Sequence, residues 1–213
     1  MQTAQCSQKG TPLFGKGRVF AMEMIQIDPA ADRVYPITVA GVKRELPLCR
    51  VSDRLYIAGF VIFGDVELTV ACATALVKRL PPHDVLITAE AKGIPLIYEM
   101  ARQTGAKRYL IARKSPKLYM QRPKSVEVQS ITTEARQTLY LDAADAEYLR
   151  GKRVVVVDDV ISTGESAYAI ETLVTESGGI VAGRMAILAE GDAADREDIV
   201  YLEKLPLFAP KQS

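Results

Sequence analysis

The chain is poor in the residues on which several common kinds of active site depend. Its 213 residues include three cysteines, one histidine and no tryptophan. The cysteines, Cys6, Cys49 and Cys72, are far apart and odd in number, so they form neither a disulfide framework nor a metal-ligand motif. Because His83 is the only histidine, no histidine-based triad or zinc site is expected.

The sequence also lacks a strong net charge and a long apolar run. Its 27 basic and 26 acidic residues give a net charge of +1, which does not favour binding to nucleic acid or to an anionic membrane. No run of about 18 apolar residues is present, and the first residues, MQTAQCSQKGTPLFGKG, lack the apolar centre of a signal peptide. We therefore expect a cytoplasmic protein of a reducing compartment, with no membrane or nucleic-acid partner.

The chain does have apolar runs that alternate with helical patterns. Strands are predicted at 35–41, 54–63, 84–90, 107–113, 138–141, 153–159 and 180–190, with a hairpin partner at 42–51. Helices are predicted at 67–80 behind an Asp65 cap, at 94–105 and from about Gly164 to Ser177, and residues 143–151 are predicted to form a short helix or a turn. The polar, basic segment 114–133 is predicted to be a loop, and the apolar tail 199–208 is expected to pack on the body. This alternation predicts an α/β fold with a mainly parallel central sheet flanked by helices.

One segment near the N-terminus comes close to a nucleotide-binding motif. GTPLFGKG, residues 10–17, almost matches the phosphate-loop pattern, but Gly17 stands where a serine or threonine should be and no strand pattern precedes it. VVVVDD could serve as the acidic strand of a nucleoside triphosphatase. That alternative is weakened by the mismatch at Gly17.

The most informative stretch is VVVVDDVISTGES, residues 154–166. A run that is apolar on both faces predicts a central parallel strand, and ligands bind beyond the carboxyl ends of such strands. The turn that follows enters a helix, whose first N–H groups and positive dipole end suit an anion. Ser162, Thr163 and Ser166 add hydroxyl donors, which makes the turn a cradle for a phosphate. Asp158 and Asp159 can accept hydrogen bonds from vicinal hydroxyls, so the stretch predicts a sugar-phosphate site.

This string resembles the phosphoribosyl-diphosphate signature of the type I phosphoribosyltransferases. The resemblance implies their fold, with a small hood formed by the N-terminal region and the C-terminal tail. It implies that Asp158 and Asp159 contact the ribose and that six residues hold the 5′-phosphate: Ile161, Ser162, Thr163, Gly164, Glu165 and Ser166. The family often has a second glycine where Glu165 stands, so this side chain would have to point outward. The implied division is 1–54 for the N-terminal segment and hood strands, 55–190 for the core and 191–213 for the tail.

Other segments fit the same resemblance. TAEAKGIPL, residues 88–96, is similar to the family's diphosphate loop, and ARKSPKLY, residues 112–119, is similar to the start of its mobile catalytic loop. The diphosphate ligands implied are Ala91, Lys92, Gly93, Arg113, Lys114 and Lys117. Glu134 falls where the adenine-type enzymes carry a glutamate that exchanges a proton with the purine. Phe63 would stack on the base, with Val160 beside it.

The resemblance implies a purine phosphoribosyltransferase of the adenine/xanthine type. Its substrates would be phosphoribosyl diphosphate and a purine, with adenine favoured and xanthine, hypoxanthine or guanine also possible. Mg²⁺ would be bound mainly through phosphoribosyl diphosphate, with no protein ligand assigned, and the chain would form a homodimer. The alternative is a regulatory protein of the same fold that binds phosphoribosyl diphosphate without transferring it.

Overall fold

The structure, a computed structural model, describes residues 24–129 and 136–211. Twelve strands and four helices lie in these ranges. The strands are β1 Ile25–Ile27, β2 Val34–Val39, β3 Val42–Arg50, β4 Tyr56–Ala58, β5 Val85–Ala89, β6 Leu110–Ala112, β7 Lys124–Gln129, β8 Arg136–Leu141, β9 Arg153–Ile161, β10 Ile180–Glu190, β11 Val200–Leu205 and β12 Leu207–Pro210. The helices are α1 Val66–Val77, α2 Ile94–Thr104, α3 Ala143–Leu149 and α4 Glu165–Glu176, and a 3₁₀ turn covers Gly191–Asp195.

The main sheet is parallel throughout, in the order β11-β10-β9-β5-β6. Its central strand β9 explains how an unbroken apolar run is buried. Val155 and Val157 pack into the core on the side of α1 and α2, whereas Val154 and Val156 pack into the core on the side of α4. Because alternate strand residues point to opposite faces, a strand covered on both faces must be apolar at every position. The predicted α/β fold with a parallel central sheet is confirmed.

A second sheet takes its strands from both ends of the described chain, in the order β1-β12-β4-β3-β2. β12 pairs parallel with β1 and antiparallel with β4, and β2 to β4 form antiparallel pairs. Pro206 alone separates β11 of the main sheet from β12 of the second sheet. β7 and β8 form a separate hairpin, which a bridge between Arg113 and Tyr140 links to the end of β6. The division of the chain into hood, core and tail stays a prediction.

The predicted start of α1 and the predicted end of α2 rest on contacts that the structure shows. Asp65 caps α1 by accepting a hydrogen bond from the backbone N–H of Leu68 at 3.0 Å. Arg44 of β3 donates to the same carboxylate, from Nε to Oδ2 at 2.7 Å, and this hydrogen bond is the main reason why the pKa of Asp65 is lowered. The cap therefore also ties the second sheet to α1. α2 ends at Gly105, whose φ of 71° is the left-handed conformation that suits glycine.

Several predicted elements have different bounds in the structure; β6 is Leu110–Ala112 rather than 107–113, and α1 ends at Val77 rather than at residue 80. The strand predicted at 54–63 is only Tyr56–Ala58, because the next residues turn towards the capped start of α1. The basic segment 114–133, predicted to be a loop, contains β7, which forms an antiparallel pair with β8. β9 continues beyond the predicted end at residue 159 to Ile161, so both acids lie inside the strand, and Asp158 pairs with Ala186 of β10.

Candidate functional site

The candidate site lies at the carboxyl ends of β5, β9 and β10, three inner strands of the main sheet. Asp158 and Asp159 point to opposite sides of β9 because they are neighbours in a strand. Asp159 is buried, with 3% of its surface exposed, and Asp158 is partly enclosed. The backbone N–H of Asp159 donates to Oδ1 of Asp158 at 2.9 Å. The two carboxylates therefore occupy different surroundings, although they are adjacent in sequence.

Lys92 supplies the positive charge nearest to the buried acid. Its Nζ lies 2.7 Å from Oδ2 of Asp159, although this atom pair does not have the alignment of a hydrogen bond. The Lys92 charge also acts on Glu190, the last residue of β10, whose pKa is raised by burial and lowered in part by this lysine. One lysine thus faces acids from two strands, which offsets part of the repulsion among them.

Asp158 is the acid whose charge is least well compensated. Burial raises its pKa to about 7, and the neighbouring charge of Asp159 contributes in the same direction. A carboxyl group with a pKa near neutrality can accept or release a proton under ordinary conditions. The site therefore holds one acid that is paired with a cation and one whose pKa is raised by its surroundings.

The loop after β5 runs from Glu90 to Gly93 and leads into α2; its Glu90–Ala91 peptide bond is cis. Gly93 sits tightly against two neighbours. A Cβ atom at this position would lie 2.2 Å from Oγ1 of Thr88 and 3.4 Å from Oδ1 of Asp158. Because no side chain fits there, glycine allows the backbone of this loop to approach the acids of β9.

The loop after β9 turns into α4 at Gly164. Gly164 has a φ of 80°, a conformation that favours glycine, and its carbonyl oxygen accepts from the N–H of Tyr168 at 2.8 Å, which starts the helix. The loop encloses a small cavity of about 40 Å³. The cavity is lined by Asp158, Val160, Ile161, Ser162, Thr163, Gly164, Glu165, Ser166 and Ala167.

An arginine that the sequence did not point to lies behind this loop. A Cβ atom at Gly164 would be 2.7 Å from Nη1 of Arg196. Asp198 orients the guanidinium by accepting from Nε at 2.9 Å and from Nη2 at 2.7 Å. Arg196 lies some thirty residues along the chain from Gly164, and no local pattern connects the two positions.

A larger cavity adjoins the loop cavity. It has a volume of about 190 Å³ and is lined by Ala89, Glu90, Ala91, Lys92, Lys114, Asp158, Asp159, Val160 and Ser166. Asp158, Val160 and Ser166 line both cavities. The arrangement can therefore bind one elongated ligand with an anionic group in each cavity and hydroxyl groups near the acids between them.

The structure brings most of the sequence-predicted site residues to these two cavities. Lys92 and Lys114 line the larger cavity, whereas Arg113 and Lys117 contact Glu90 at its margin. Phe63 precedes α1, is half exposed and lines neither cavity. Glu134 and the phosphate-loop-like segment 10–17 lie outside the described residues.

Comparison with known proteins identifies the class to which this fold and site belong. The sequence model of the family described as phosphoribosyl transferase domain matches residues 73–198, more than half of the chain. The chain therefore belongs to the phosphoribosyl transferase domain family.

Two curated relatives carry a more specific name. A hypoxanthine/guanine phosphoribosyltransferase of Methanothrix thermoacetophila is 29% identical over 113 residues, which are 53% of this chain and 55% of the relative. A protein of the same name from Methanothrix soehngenii is 32% identical over 124 residues, 57% of this chain and 61% of the relative. The chain thus spans only about half to three fifths of the length of these two relatives.

Solved structures show the same fold at lower identity. An adenine phosphoribosyltransferase of Thermoanaerobacter pseudethanolicus superposes with a TM-score of 0.55 at 23% identity and covers 81% of this chain and 95% of its own. Another, from Rhodothermus marinus, has a TM-score of 0.58 at 19% identity and covers 81% and 94%. Within residues 24–129 and 136–211, no helix has both the length and the apolar character needed to cross a membrane.

Proposed function

We propose that the chain is a purine phosphoribosyltransferase, which makes a purine nucleoside 5′-monophosphate and diphosphate from a purine base and phosphoribosyl diphosphate. The observation that carries the proposal is the pair of adjoining cavities that share Asp158, Val160 and Ser166. Phosphoribosyl diphosphate has a phosphate at one end, a diphosphate at the other and two hydroxyls between them. The two cavities offer matching groups in the same order: hydroxyl and N–H donors in the loop cavity, the two acids next to it, and basic side chains in the larger cavity.

The ribose and its 5′-phosphate are assigned to β9 and the loop after it. Asp158 and Asp159 would accept hydrogen bonds from the ribose hydroxyls, which fixes the sugar ring relative to both cavities. The 5′-phosphate would lie on the loop of residues 161–166 at the start of α4, where the helix dipole favours an anion. This phosphate does not react, so its binding energy serves to orient C1 of the ribose.

The diphosphate is assigned to the larger cavity. Backbone groups of residues 91–93 and the cations Lys92, Arg113, Lys114 and Lys117 would bind it as it leaves C1 with its bonding electron pair. The base nitrogen would displace it by bonding to C1, which is electron-poor while the diphosphate departs. Closure of the basic segment over the site would exclude water, which otherwise attacks the same carbon.

The residues present fit a magnesium ion held largely by the substrate. Mg²⁺ is commonly bound by one or two carboxylates together with substrate phosphates. Asp158, which lines both cavities, is the carboxylate best placed for that role. The ion would supply charge neutralisation for the leaving diphosphate.

Three residues are proposed to recognise the purine base. Phe63 and Val160 are proposed to contact the base, and Glu134 is proposed to exchange a proton with it. Val160 lines both cavities, whereas the proposed stacking of Phe63 requires the base to extend beyond the larger cavity. The resemblance around Phe63 favours adenine, and the names of the curated relatives favour hypoxanthine or guanine.

A panel of bases tests the proposal directly. The chain is mixed with phosphoribosyl diphosphate, Mg²⁺ and, separately, adenine, hypoxanthine, guanine, xanthine and uracil, and released diphosphate is measured. We expect release that depends on a purine and yields the matching monophosphate. Binding of phosphoribosyl diphosphate without release for any base would instead support the regulatory alternative, and turnover with uracil alone would overturn the purine assignment.

A homodimer is proposed from the family resemblance and from one exposed apolar area. Val66 and Tyr98, each more than half exposed, lie near the starts of α1 and α2. A cavity of about 250 Å³ with a mainly apolar lining opens between these two helices. Contiguous apolar surface of this kind commonly marks an interface. Light scattering of the chain and of a Val66→Glu variant measures the assembly, and the variant is expected to be the smaller species.

A further inference from the structure

Glu90, the first residue of the loop after β5, has contacts that the sequence patterns do not suggest. Its carboxylate reaches across to the segment after β6. Oε2 accepts a hydrogen bond from the backbone N–H of Lys114 at 3.1 Å, and Oε1 accepts one from Nη1 of Arg113 at 3.2 Å. Nζ of Lys117 lies 3.5 Å from the same Oε1. One carboxylate thus gathers three donors from residues 113–117.

These donors belong to the residues assigned to the diphosphate. Glu90 itself lines the larger cavity together with Lys92, Lys114, Asp158 and Asp159. A carboxylate and a diphosphate oxygen make the same kind of charge-assisted hydrogen bond to guanidinium, ammonium and backbone N–H groups. A single N–H that donates to Glu90 is not fully available to a diphosphate oxygen, and two anions brought close together repel each other.

The carboxylate is held firmly as an anion. Its pKa is lowered, mainly by the hydrogen bond from the Lys114 backbone and further by the charges of Lys117 and Arg113. The Glu90 side chain is only 22% exposed, so water screens these contacts less than it would on an open surface. Protonation near neutral pH therefore does not free the donors, and another anion must compete for them.

We infer that Glu90 is an internal substitute for the diphosphate: it occupies Arg113, Lys117 and the N–H of Lys114 until a diphosphate group takes over these donors, and it regains them when the diphosphate leaves. The inference rests on the proposed function, in which these residues bind the diphosphate. The contacts with Glu90 must be broken on binding, so they weaken diphosphate affinity and favour release of this product.

The test is titration calorimetry of the full chain with inorganic diphosphate in a Mg²⁺ buffer. Glu90→Gln keeps the size of the side chain and removes its charge, and it is expected to bind diphosphate about five- to tenfold more tightly than the unchanged chain. Glu147→Gln is the matched control, because Glu147 is an exposed acid that pairs with Arg150 outside the site. An affinity of Glu90→Gln that equals or falls below that of the unchanged chain overturns the inference.

A double-mutant cycle with Arg113→Gln separates competition from a purely structural role. If Glu90 occupies Arg113, the loss of diphosphate affinity caused by Arg113→Gln is larger in the Glu90→Gln background than in the unchanged chain. Equal losses in both backgrounds contradict the inference. A melting curve for each variant shows whether it is folded at the temperature of the titration.

The outcomes for this inference and for the proposed function are distinguishable. Transfer is measured by base-dependent release of diphosphate, whereas competition is measured by binding of inorganic diphosphate alone. Normal transfer with unchanged affinity in Glu90→Gln removes only the inference. Absence of transfer with tighter binding in Glu90→Gln removes the proposed function and leaves the competition in place.

Discussion

The two loops that are proposed to receive anions lie at the same edge of the main sheet but are built differently. The loop after β9, residues 162–164, offers hydroxyl groups and the first N–H groups of α4. The loop after β5, residues 90–93, offers charged side chains, and both Glu90 and Lys92 already contact an opposite charge. Fixed dipoles suit a phosphate that is only held in place. Exchangeable ion pairs suit a group that has to be bound and then released.

The largest expected effect comes from the acids that lie between the two loops. Asp158→Asn together with Asp159→Asn removes both negative charges and replaces one acceptor oxygen of each acid by an NH2 donor. The hydrogen bonds proposed from the ribose hydroxyls are weakened, so both ends of the substrate are positioned less well. We expect kcat/KM for base-dependent diphosphate release to fall on the order of 100-fold or more, because small misplacements of a reacting group have effects of this size.

The control for this pair keeps the number of substitutions and moves them to the surface. Asp53→Asn together with Asp145→Asn breaks two ion pairs, with Arg50 and Arg108, outside the site. Its activity is expected to stay near that of the unchanged chain. Normal turnover by the Asp158 and Asp159 variant would remove the assignment of these residues.

Gly93→Ala tests whether the loop after β5 depends on close approach. The added Cβ would lie 2.2 Å from Oγ1 of Thr88, so we expect a loss of about 1–3 kcal/mol in the free energy of unfolding together with weaker diphosphate binding. Combining it with Thr88→Ala removes the clashing oxygen and should restore part of both. Gly59→Ala is the control, since its Cβ would make only ordinary contacts of 3.4 Å or more. Denaturant unfolding that shows no difference between the two glycine variants would contradict the close packing.

The raised pKa of Asp158, which lies between the two loops, predicts that the stability of the fold depends on pH. The pKa of Asp158 is raised from 3.8 to about 7, so the folded chain binds this proton more tightly than the unfolded chain does. Its contribution to stability is therefore full below the ordinary pKa and is lost as the pH rises through about 7. Between pH 5 and pH 8, the free energy of unfolding measured with denaturant is expected to decrease more for the unchanged chain than for Asp158→Asn. The same decrease in both chains would show that another group is responsible.

The smallest expected effect concerns the acid in the loop after β9. Glu165 starts α4 and lines the loop cavity, so its charge opposes a bound phosphate even though it suits the helix dipole. Glu165→Gln is expected to bind ribose 5-phosphate about two- to threefold more tightly, as for other partly exposed charges. Glu176→Gln, at the exposed far end of the same helix, is the control. Weaker binding by Glu165→Gln would mean that the carboxylate organises the loop.

The sequence predicted what depends on neighbouring residues. The strand before Asp158, the turn at Gly164, the cap at Asp65 and the end of α2 at Gly105 all follow from local pattern, and the structure contains them. These features arise from the periodicity and conformational preferences of short segments, which can be read from the residues themselves.

The sequence did not reveal contacts between distant segments. The pairing of Glu90 with Arg113, the approach of Arg196 to Gly164 and the extension of β9 along β10 all depend on which strands become neighbours. The predicted strand at 54–63 was also too long. Its last apolar residues lie in the turn before α1, where they do not pair in a strand. The outward orientation proposed for Glu165 stays a prediction.

The single residue between β11 and β12 has a consequence for how the second sheet could be exchanged between related chains. β12 lies between β1 and β4, so the second sheet is completed by a strand that continues directly from the main sheet through Pro206. Recombination that exchanged only residues 25–58 with a relative would leave β12 of this chain to pair with β1 and β4 of the relative. A functional chimera would have to carry residues 207–210 as well, so the two chain segments would have to be exchanged together.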